Sequence, residues 1–347
     1  IVEVFDKKRK PLKKTERIHG DYPYYGATGI IDYVNDYIFD EELVLVGEDG
    51  AKWGANEKSA FIAKGKYWVN NHAHVLKPNN LSVNNFYITN VLNNMDLSDF
   101  ITGVTVPKLN QEKLLSIKIP LPSIETQNQI VEELDSYQKI IDGCRQVIDN
   151  YEPSFDIKKD WKNKKIKEIS KLTYGLGQAA KEKGEYRIIR ITDINENGLL
   201  IESNKKYVDI NNDEKKYILK QGEVLVARTG ATYGKCLFFE GNEPSVYAGY
   251  LIKLEFDKEL ILPKFFWIFS QSKNFNSQKK NLVVGGGQPQ FNANTLGEVV
   301  VPIPSLKEQE EIISYVLEEQ KIVSQNLNLL KKFETKMNER LNSIWSK

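Results

Sequence analysis

Ile119-Pro-Leu-Pro-Ser-Ile-Glu-Thr-Gln127 returns 182 residues later as Val301-Pro-Ile-Pro-Ser-Leu-Lys-Glu-Gln309. At the same offset Gly103, Pro107, Asn110 and Leu114 meet Gly285, Pro289, Asn292 and Leu296. Further upstream, Val44-Leu-Val-Gly-Glu-Asp-Gly-Ala-Lys-Trp-Gly54 aligns with Val224-Leu-Val-Ala-Arg-Thr-Gly-Ala-Thr-Tyr-Gly234 at an offset of 180. Self-similarity over this distance means that one unit, a strand-rich domain followed by a long helix, occurs twice. The expected fold is α+β: two strand-rich domains separated by two long helices, related as a pseudo-two-fold internal repeat. The divisions are expected at residues 1–118 for the first domain, 119–156 for the central helix, 157–301 for the second domain and 302–347 for the C-terminal helix.

Each long helix follows Pro-x-Pro-Ser. Ser305 with Glu308 makes a capping-box pattern, and Ser123 with Thr126 a weaker version of it. In the first helix Ile130, Leu134, Tyr137, Ile141, Cys144, Ile148 and Tyr151 alternate in steps of four and three, and Pro153 ends the run. In the second, Val316, Val323, Leu330, Met337 and Ile344 recur every seven residues, with Ile313, Gln320, Leu327, Glu334 and Leu341 at the other seam position. Two matched heptad seams at equivalent places predict an antiparallel coiled coil rather than two helices each lying on its own domain. Helices from Ile124 to Tyr151 and from Leu306 to Trp345 span about 42 Å and about 60 Å at ~1.5 Å per residue. Residues 40–46, 187–191 and 223–227 read as strands, residues 262–270 as a helix with proline near its start, and residues 86–92 as either.

Composition narrows the function classes. Hydrophobic content of 41% with 27% charged residues is that of a folded, soluble protein. No apolar run approaches the roughly 20 residues of a membrane span, and no signal peptide opens the sequence. Cys144 and Cys236 lie in different repeats, which predicts free thiols and a cytoplasmic setting. Three histidines and two cysteines do not build a zinc site. The net charge of +1 hides a pattern: residues 157–301 carry 24 basic against 17 acidic side chains, residues 119–156 only 2 against 8. A basic second domain and an acidic helix suit DNA contact by the one and protein contact by the other. The chain begins with Ile1, and Trp161-Lys-Asn-Lys-Lys-Ile-Lys-Glu-Ile169 has no counterpart in the first repeat. The expectation is that the first repeat lacks its native N-terminal entry segment.

Tyr22-Pro-Tyr-Tyr-Gly-Ala-Thr-Gly29 followed by Gly50-Ala-Lys-Trp-Gly54, then Gly103-Val-Thr-Val-Pro-Lys-Leu-Asn110, and the Pro-x-Pro-Ser-x-x-x-Gln helix entries at Pro120 and Pro302, occur in this order. In that order the chain resembles, over essentially its whole length, the specificity subunit (HsdS) of type I restriction-modification systems. The resemblance implies that each repeat is a target recognition domain reading one half of a bipartite double-stranded DNA sequence. It implies that the helices set the gap between the halves. It also implies a scaffold without chemistry of its own, whose partners are modification subunits that methylate adenine with S-adenosylmethionine and restriction subunits that use ATP and magnesium. No cofactor or metal is expected on this chain. Its entry segments differ, Tyr24-Tyr-Gly-Ala-Thr-Gly29 against Ile188-Ile-Arg-Ile-Thr-Asp193, which speaks against identical half-sites. Rival readings are a specificity subunit of a related type II system, a nuclease or methyltransferase in its own right, and a structural coiled-coil adaptor. No phosphate loop, amino-methyltransferase motif or nucleophile-base constellation is evident in the sequence.

The candidate DNA contacts come from a glycine frame with variable tips. Gly50 and Gly54 match Gly230 and Gly234 and read as turn glycines. Between them Lys52 and Trp53 stand against Thr232 and Tyr233. Arg228 and Lys235 flank the second frame and reach a phosphate or a guanine edge, or are solvated charges. Gln288 and Gln290, in Gly285-Gly-Gly-Gln-Pro-Gln290, either pair with adenine edges or belong to a hinge. Tyr24 and Tyr25, beside Gly26, read as core aromatics or, alternatively, as sugar-phosphate or base contacts. His72 and His74 alternate along a strand, one packed and one exposed. Lys7-Lys-Arg-Lys10 reads as a solvated run, and Asp213-Glu-Lys-Lys216 as a surface turn.

If the helices act as a ruler, removing one heptad from both, within 130–151 and 316–344, shortens the span by about 10 Å. The gap between methylated half-sites is then expected to shrink by about three base pairs, or methylation to cease. Sequencing of methylated adenines reads this directly, and unchanged methylation at the original gap would refute the ruler.

Overall fold

The structure, a computed structural model, describes residues 1–103, 105–195, 197–283 and 291–346. These form two compact units, one of Ile1–Gln146 with Asn326–Lys347 and the other of Val147–Gln325. In the first unit the strands are β1 (Val2–Val4), β2 (Tyr22–Gly26), β3 (Gly29–Val34), β4 (Phe39–Asp40), β5 (Leu43–Gly47), β6 (Ala60–Ala63), β7 (Lys66–Val69) and β8 (Ala73–Pro78). The helices α1 (Asn85–Asn94) and α2 (Gln111–Ser116) precede the long helix α3 (Ile124–Asn150). In the second unit the strands are β9 (Lys162–Lys165), β10 (Ser170–Tyr174), β11 (Tyr186–Ile189), β12 (Tyr207–Val208), β13 (Val224–Ala227), β14 (Cys236–Phe238), β15 (Ser245–Tyr247), β16 (Leu251–Phe256) and β17 (Val300–Ile303). Its helices are α4 (Ile166–Ile169), α5 (Pro263–Phe269), α6 (Lys273–Leu282) and α7 (Ala293–Gly297), followed by the long helix α8 (Leu306–Ser343).

The sequence repeat is a repeat of topology. One antiparallel sheet runs β1-β8-β5-β6 in the first unit and β10-β16-β13-β14 in the second. A second sheet pairs β2 with β7, and in the second unit β11 with β15, and both pairings are parallel. The central strands explain why an apolar run was needed. Every residue of β5 and β13 is buried. Successive side chains of a strand face opposite sides. Accordingly Val44 and Val46 pack with Ile88 and Leu92 of α1, whereas Leu43 and Leu45 pack with Phe39, Tyr67 and Val69. Likewise Val224 and Val226 face Phe266 and Phe269, while Leu225 and Ala227 face Ile189 and Tyr247. A fully buried side chain of this kind contributes roughly 1.5–3 kcal/mol, so a strand sandwiched between two cores anchors the loop that follows it.

The ambiguous segment at Phe86 is helical. The Asn84 side chain accepts hydrogen bonds from the Phe86 and Tyr87 backbone N–H groups at 2.8 and 3.1 Å, which starts α1. Pro263 occupies the first turn of α5, as expected.

The repeated Pro-x-Pro-Ser-x-x-x-Gln entry owes its final glutamine to burial. Gln127 and Gln309 are both 0% exposed. The Gln127 amide donates to the Ser82 and Pro122 carbonyls at 2.9 and 2.8 Å and accepts from the Asn84 N–H at 2.9 Å. Gln309 repeats this with Leu260, Pro304 and Leu262 at 2.9, 3.0 and 2.8 Å. Each glutamine therefore ties the first turn of a long helix to the start of α1 or α5. Ahead of α8, Glu308 N–H donates to Ser305 Oγ at 3.3 Å and Ser305 N–H to the Glu308 carboxylate at 3.1 Å, completing the capping box.

Within the first unit the long helices pair antiparallel. Glu133 meets Arg340 at 2.7 Å and Tyr137 meets Phe333 edge-on at 5.5 Å, so numbers rise on α3 as they fall on α8. Ile130 and Leu134 pack with Leu341, Ile344, Tyr87 and Val91. Of the expected seam residues of α8, Leu327 is exposed, whereas Glu334 pairs across to Arg145 of α3 at 2.7 Å. In the second unit Val316 is fully buried against the core that contains Phe265 and Phe266. The seam of α8 is therefore partly a domain-packing face. Among the described residues no helix is long and apolar enough to cross a membrane.

Replacing Gln127 or Gln309 by alanine leaves two carbonyls and one N–H unpaired in a dry site. Each substitution is expected to cost about 2–3 kcal/mol, seen as a lower urea midpoint. A loss below about 0.5 kcal/mol, the size of an ordinary surface change, would remove the elbow from the list of structural anchors.

Candidate nucleic-acid interface

In the second unit the chain leaves β13 at Ala227, passes Arg228, turns at Gly230 (φ +73°) and closes at Gly234 (φ +77°) before β14. Both glycines have the left-handed backbone expected of them, as does Gly50 (φ +73°) in the first unit; Gly54 does not. Gly234 is needed for contact as well. A Cβ there would lie 2.2 Å from Lys279 Cδ, whose stem crosses the loop.

Arg228 sits at the mouth of a cleft of about 700 Å³ lined also by Leu176, Gln178, Ile188, Thr192 and Tyr250. Its Nε donates to the Gly249 carbonyl at 2.9 Å. Its guanidinium carbon is 5.2 Å from the centre of the Tyr174 ring and 5.6 Å from that of Tyr250. Two aromatic rings thus lie within cation–π range of the guanidinium. Arg190, the other cation on the cleft wall, is bound by the buried Asp193 carboxylate at 3.0 and 2.6 Å.

Of the remaining candidates on this loop, Thr232 and Tyr233 are partly buried. Tyr233 packs edge-on against Phe291 at 6.3 Å, and the Lys279 ammonium lies 5.3 Å from its ring centre. Thr232 Oγ1 is buried and has no hydrogen-bond partner among the described residues. Lys235 is half-buried. Burial pushes the Lys279 pKa down, and the nearby charges of Lys280 and Lys235 act in the same direction although Cys236 opposes them. Three lysines gathered at one loop make a positive surface. Gln288 and Gln290 lie outside the described residues. Tyr174, Tyr250 and Lys279 escaped the sequence reading because only strand pairing and the placement of α6 bring them beside the loop.

The first unit fills the matching loop differently. Lys52 is fully solvated, its side chain 80% exposed and 3.9 Å from Glu57. Trp53 is half-buried on the core of Val44 and Val46, and its indole N–H donates to the Gly47 carbonyl at 3.2 Å. Below this loop Asp6, Glu48 and His74 converge closely enough to hold a metal ion. Cations of the protein already occupy the space. Arg9 meets Glu48 at 2.5 Å and Asp6 at 3.2 Å, and Lys108 meets Glu48 at 2.8 Å. His74 faces Asp6 at 2.5 Å through Nδ1 and the Leu109 carbonyl at 2.7 Å through Nε2. The cluster is an internal ion network that binds the N-terminal segment to β8. The expectation of a solvated basic run at Lys7–Lys10 is therefore corrected for Arg9, which carboxylates draw inward. His74 is the packed histidine and His72, beside Asp49, the exposed one.

Burial alone would raise the carboxyls of Asp6 and Glu48. Hydrogen bonds from His74 and the Val75 N–H to Asp6, and from Lys108 and Arg9 to Glu48, together with those positive charges, hold both below their ordinary values.

A family profile described as the type I restriction modification DNA specificity domain matches residues 1–150 and again 158–338. A protein assigned as a type I restriction enzyme specificity subunit in Haemophilus influenzae is 28% identical over 334 residues, covering 90% of this chain and 84% of that protein. The type I restriction enzyme MjaVIII specificity subunit of Methanocaldococcus jannaschii is 22% identical over 345 residues, 87% of this chain and 80% of its own. Among solved structures, the S subunit of a type I restriction-modification system from M. genitalium superposes with a TM-score of 0.59 at 14% identity, covering 99% of this chain and 95% of that one. A chain from a study of complex assembly and conformational transition in a type I system superposes with a TM-score of 0.54 at 14% identity, covering 87% and 81%.

Because the folded pKa values of Asp6 and Glu48 are depressed from 3.8 and 4.5, their stabilisation is complete above pH 4.5 and is lost as pH falls through the depressed values. Asp6→Asn is expected to lower stability at about pH 7 and to flatten the further loss toward about pH 3. Urea midpoints at the two pH values test this; parallel curves for parent and variant would show that the network contributes nothing to acid sensitivity.

Proposed function

The chain belongs to the type I restriction-modification DNA specificity family and is a specificity subunit of such a system; on that premise we propose that each of its two units reads one half of a bipartite DNA target. The observation that carries this is the double match of the family profile, residues 1–150 and 158–338, onto two units of one topology. Two units with a common frame and different loop chemistry suit a target with two unlike halves. The contact residues proposed are Lys52 in the first unit and Arg228 and Lys235 in the second, with Lys279 and Lys280 supplying charge. Trp53, Thr232 and Tyr233 hold the loops in shape.

The chain itself carries no chemistry in this reading. Modification subunits supply adenine methylation with S-adenosylmethionine, and restriction subunits supply ATP- and magnesium-dependent cleavage. Exposed apolar side chains one heptad apart on α8, Tyr315 and Ile322, are proposed as part of the surface that modification subunits cover. The chain works where its partners and DNA are, in the cytoplasm.

Combined with its modification subunits and S-adenosylmethionine, the chain is expected to direct methylation to adenines in an interrupted sequence, and alone to transfer no methyl group. Methylation at an uninterrupted site, or without sequence preference, would overturn the reading. Lys52→Ala is expected to weaken cognate and unrelated DNA alike and to lower the slope of log affinity against log salt by about one, as measured by fluorescence anisotropy over a salt series.

A further inference from the structure

Three strand ends of the second unit meet beside the cleft. Tyr174 is the last residue of β10, Arg228 follows β13, and Tyr250 precedes β16, which lies between the other two in the sheet. Register places Tyr174 opposite Ile252 and Ala227 opposite Leu251. The sheet ladder itself therefore brings both rings close to the guanidinium. The Tyr174 ring is fixed by the Ala293 N–H, which donates to its hydroxyl oxygen at 2.9 Å. Tyr250 is 58% exposed, and its backbone carbonyl accepts from the Arg228 N–H at 3.0 Å.

We propose that Arg228, held against Tyr174 and Tyr250, reads a guanine in the half-site of the second unit, and that the two tyrosines are positioning residues for specificity. The inference rests on the reading of the chain as a DNA specificity subunit and names one base of its target. A guanidinium presents a planar fork that matches the O6 and N7 acceptors of guanine. A fixed orientation matters more for that contact than for a phosphate, which a mobile lysine also satisfies as a point charge. Arg228 is oriented by three contacts, with Gly249 and with the two rings. The wall around it mixes Gln178 and Thr192 with Leu176 and Ile188, and Arg190 is already neutralised by Asp193. Such a surface suits a base edge better than a phosphate, which gathers free cations.

The first unit holds opposite chemistry at the same topological place. Gly47 pairs with Ala73 as Ala227 pairs with Leu251. Two backbone bonds confirm the equivalence. Glu48 N–H donates to the His72 carbonyl and Leu109 N–H to the Glu48 carbonyl, as Arg228 N–H does to Tyr250 and Phe291 N–H to Arg228. The positions of Arg228 and Tyr250 are thus Glu48 and His72, and Glu48 is consumed by Arg9 and Lys108. The guanine contact belongs to one half-site only.

The test uses the full chain assembled with its modification subunits, mapping methylated adenines and their flanking sequence for the parent and for R228A, R228K, Y250A and Y250F. The parent is expected to require guanine at one position of one half-site. R228A and R228K should each relax that position by about 10- to 100-fold and leave the others unchanged, with R228K keeping the affinity for unrelated DNA. Y250A should relax the same position, whereas Y250F, which retains the ring, should behave as the parent. Unchanged profiles for R228A, a uniform loss at all positions, or relaxation by R228A without any by Y250A would each overturn the clamp. A parent complex that methylates no interrupted sequence would defeat the functional reading itself, which separates the two failures. Thermal melts of the complexes identify a variant that fails to fold, and R228K and Y250F then carry the decision.

Discussion

A buried side-chain amide governs how each domain meets its helix. Gln127 and Gln309 carry four hydrogen-bonding positions apiece into sites that exclude water, and three of these are met by backbone groups of two different elements. A polar group in such a place is costly unless every partner is in position. The amide therefore accepts one arrangement of helix entry and domain and penalises others. Apolar packing alone would leave the long helix free to slide or turn on the domain surface. Directional bonds at its first turn remove that freedom, and the prolines before it fix the approach of the chain.

The same logic of fixed support and free tip appears at the loops. β5 and β13 are covered on both faces, so the backbone that leaves them starts from a rigid point. Glycines at Gly50, Gly230 and Gly234 allow the turns that follow. What the turns present then depends on a few side chains. In the first unit carboxylates at this place are neutralised by Arg9 and Lys108, and Lys52 is left in solvent. In the second unit an arginine is held beside two tyrosines. One frame can thus carry two different readings without any change of fold, because the frame is stabilised by the cores beneath it and not by the tips.

Much of the architecture was legible from the residues alone. The repeat, the strands at Val44 and Val224, the proline-started helix at Pro263 and the capping box at Ser305 all have local signals, and local signals survive folding when the partners lie within one turn or one strand. Phe86 was ambiguous because seven residues do not separate helical from strand periodicity; the decisive cap is Asn84, just outside the run. Heptad counting puts Leu327 in the helix seam, yet it is exposed; α8 packs partly on its own domain, where Val316 is buried, and partly on α3, which Glu334 meets through Arg145.

At the candidate interface the division is sharper. The sequence by itself determined that two equivalent loops exist, that glycines frame them and that their tips differ, since these are properties of residues a few positions apart. It did not determine which tip residues turn outward. Trp53 and Tyr233 look like contact residues in sequence and are packed from below, while Tyr174 and Tyr250, 54 residues before and 22 after Arg228, become its neighbours. Arg9, in a basic run, is drawn inward by carboxylates that the chain supplies near residues 6 and 48. Those outcomes follow from strand order and register, which bring distant side chains within a few ångströms. Pairing of that range is set by the burial of whole sheets, and so only the tertiary structure decided it.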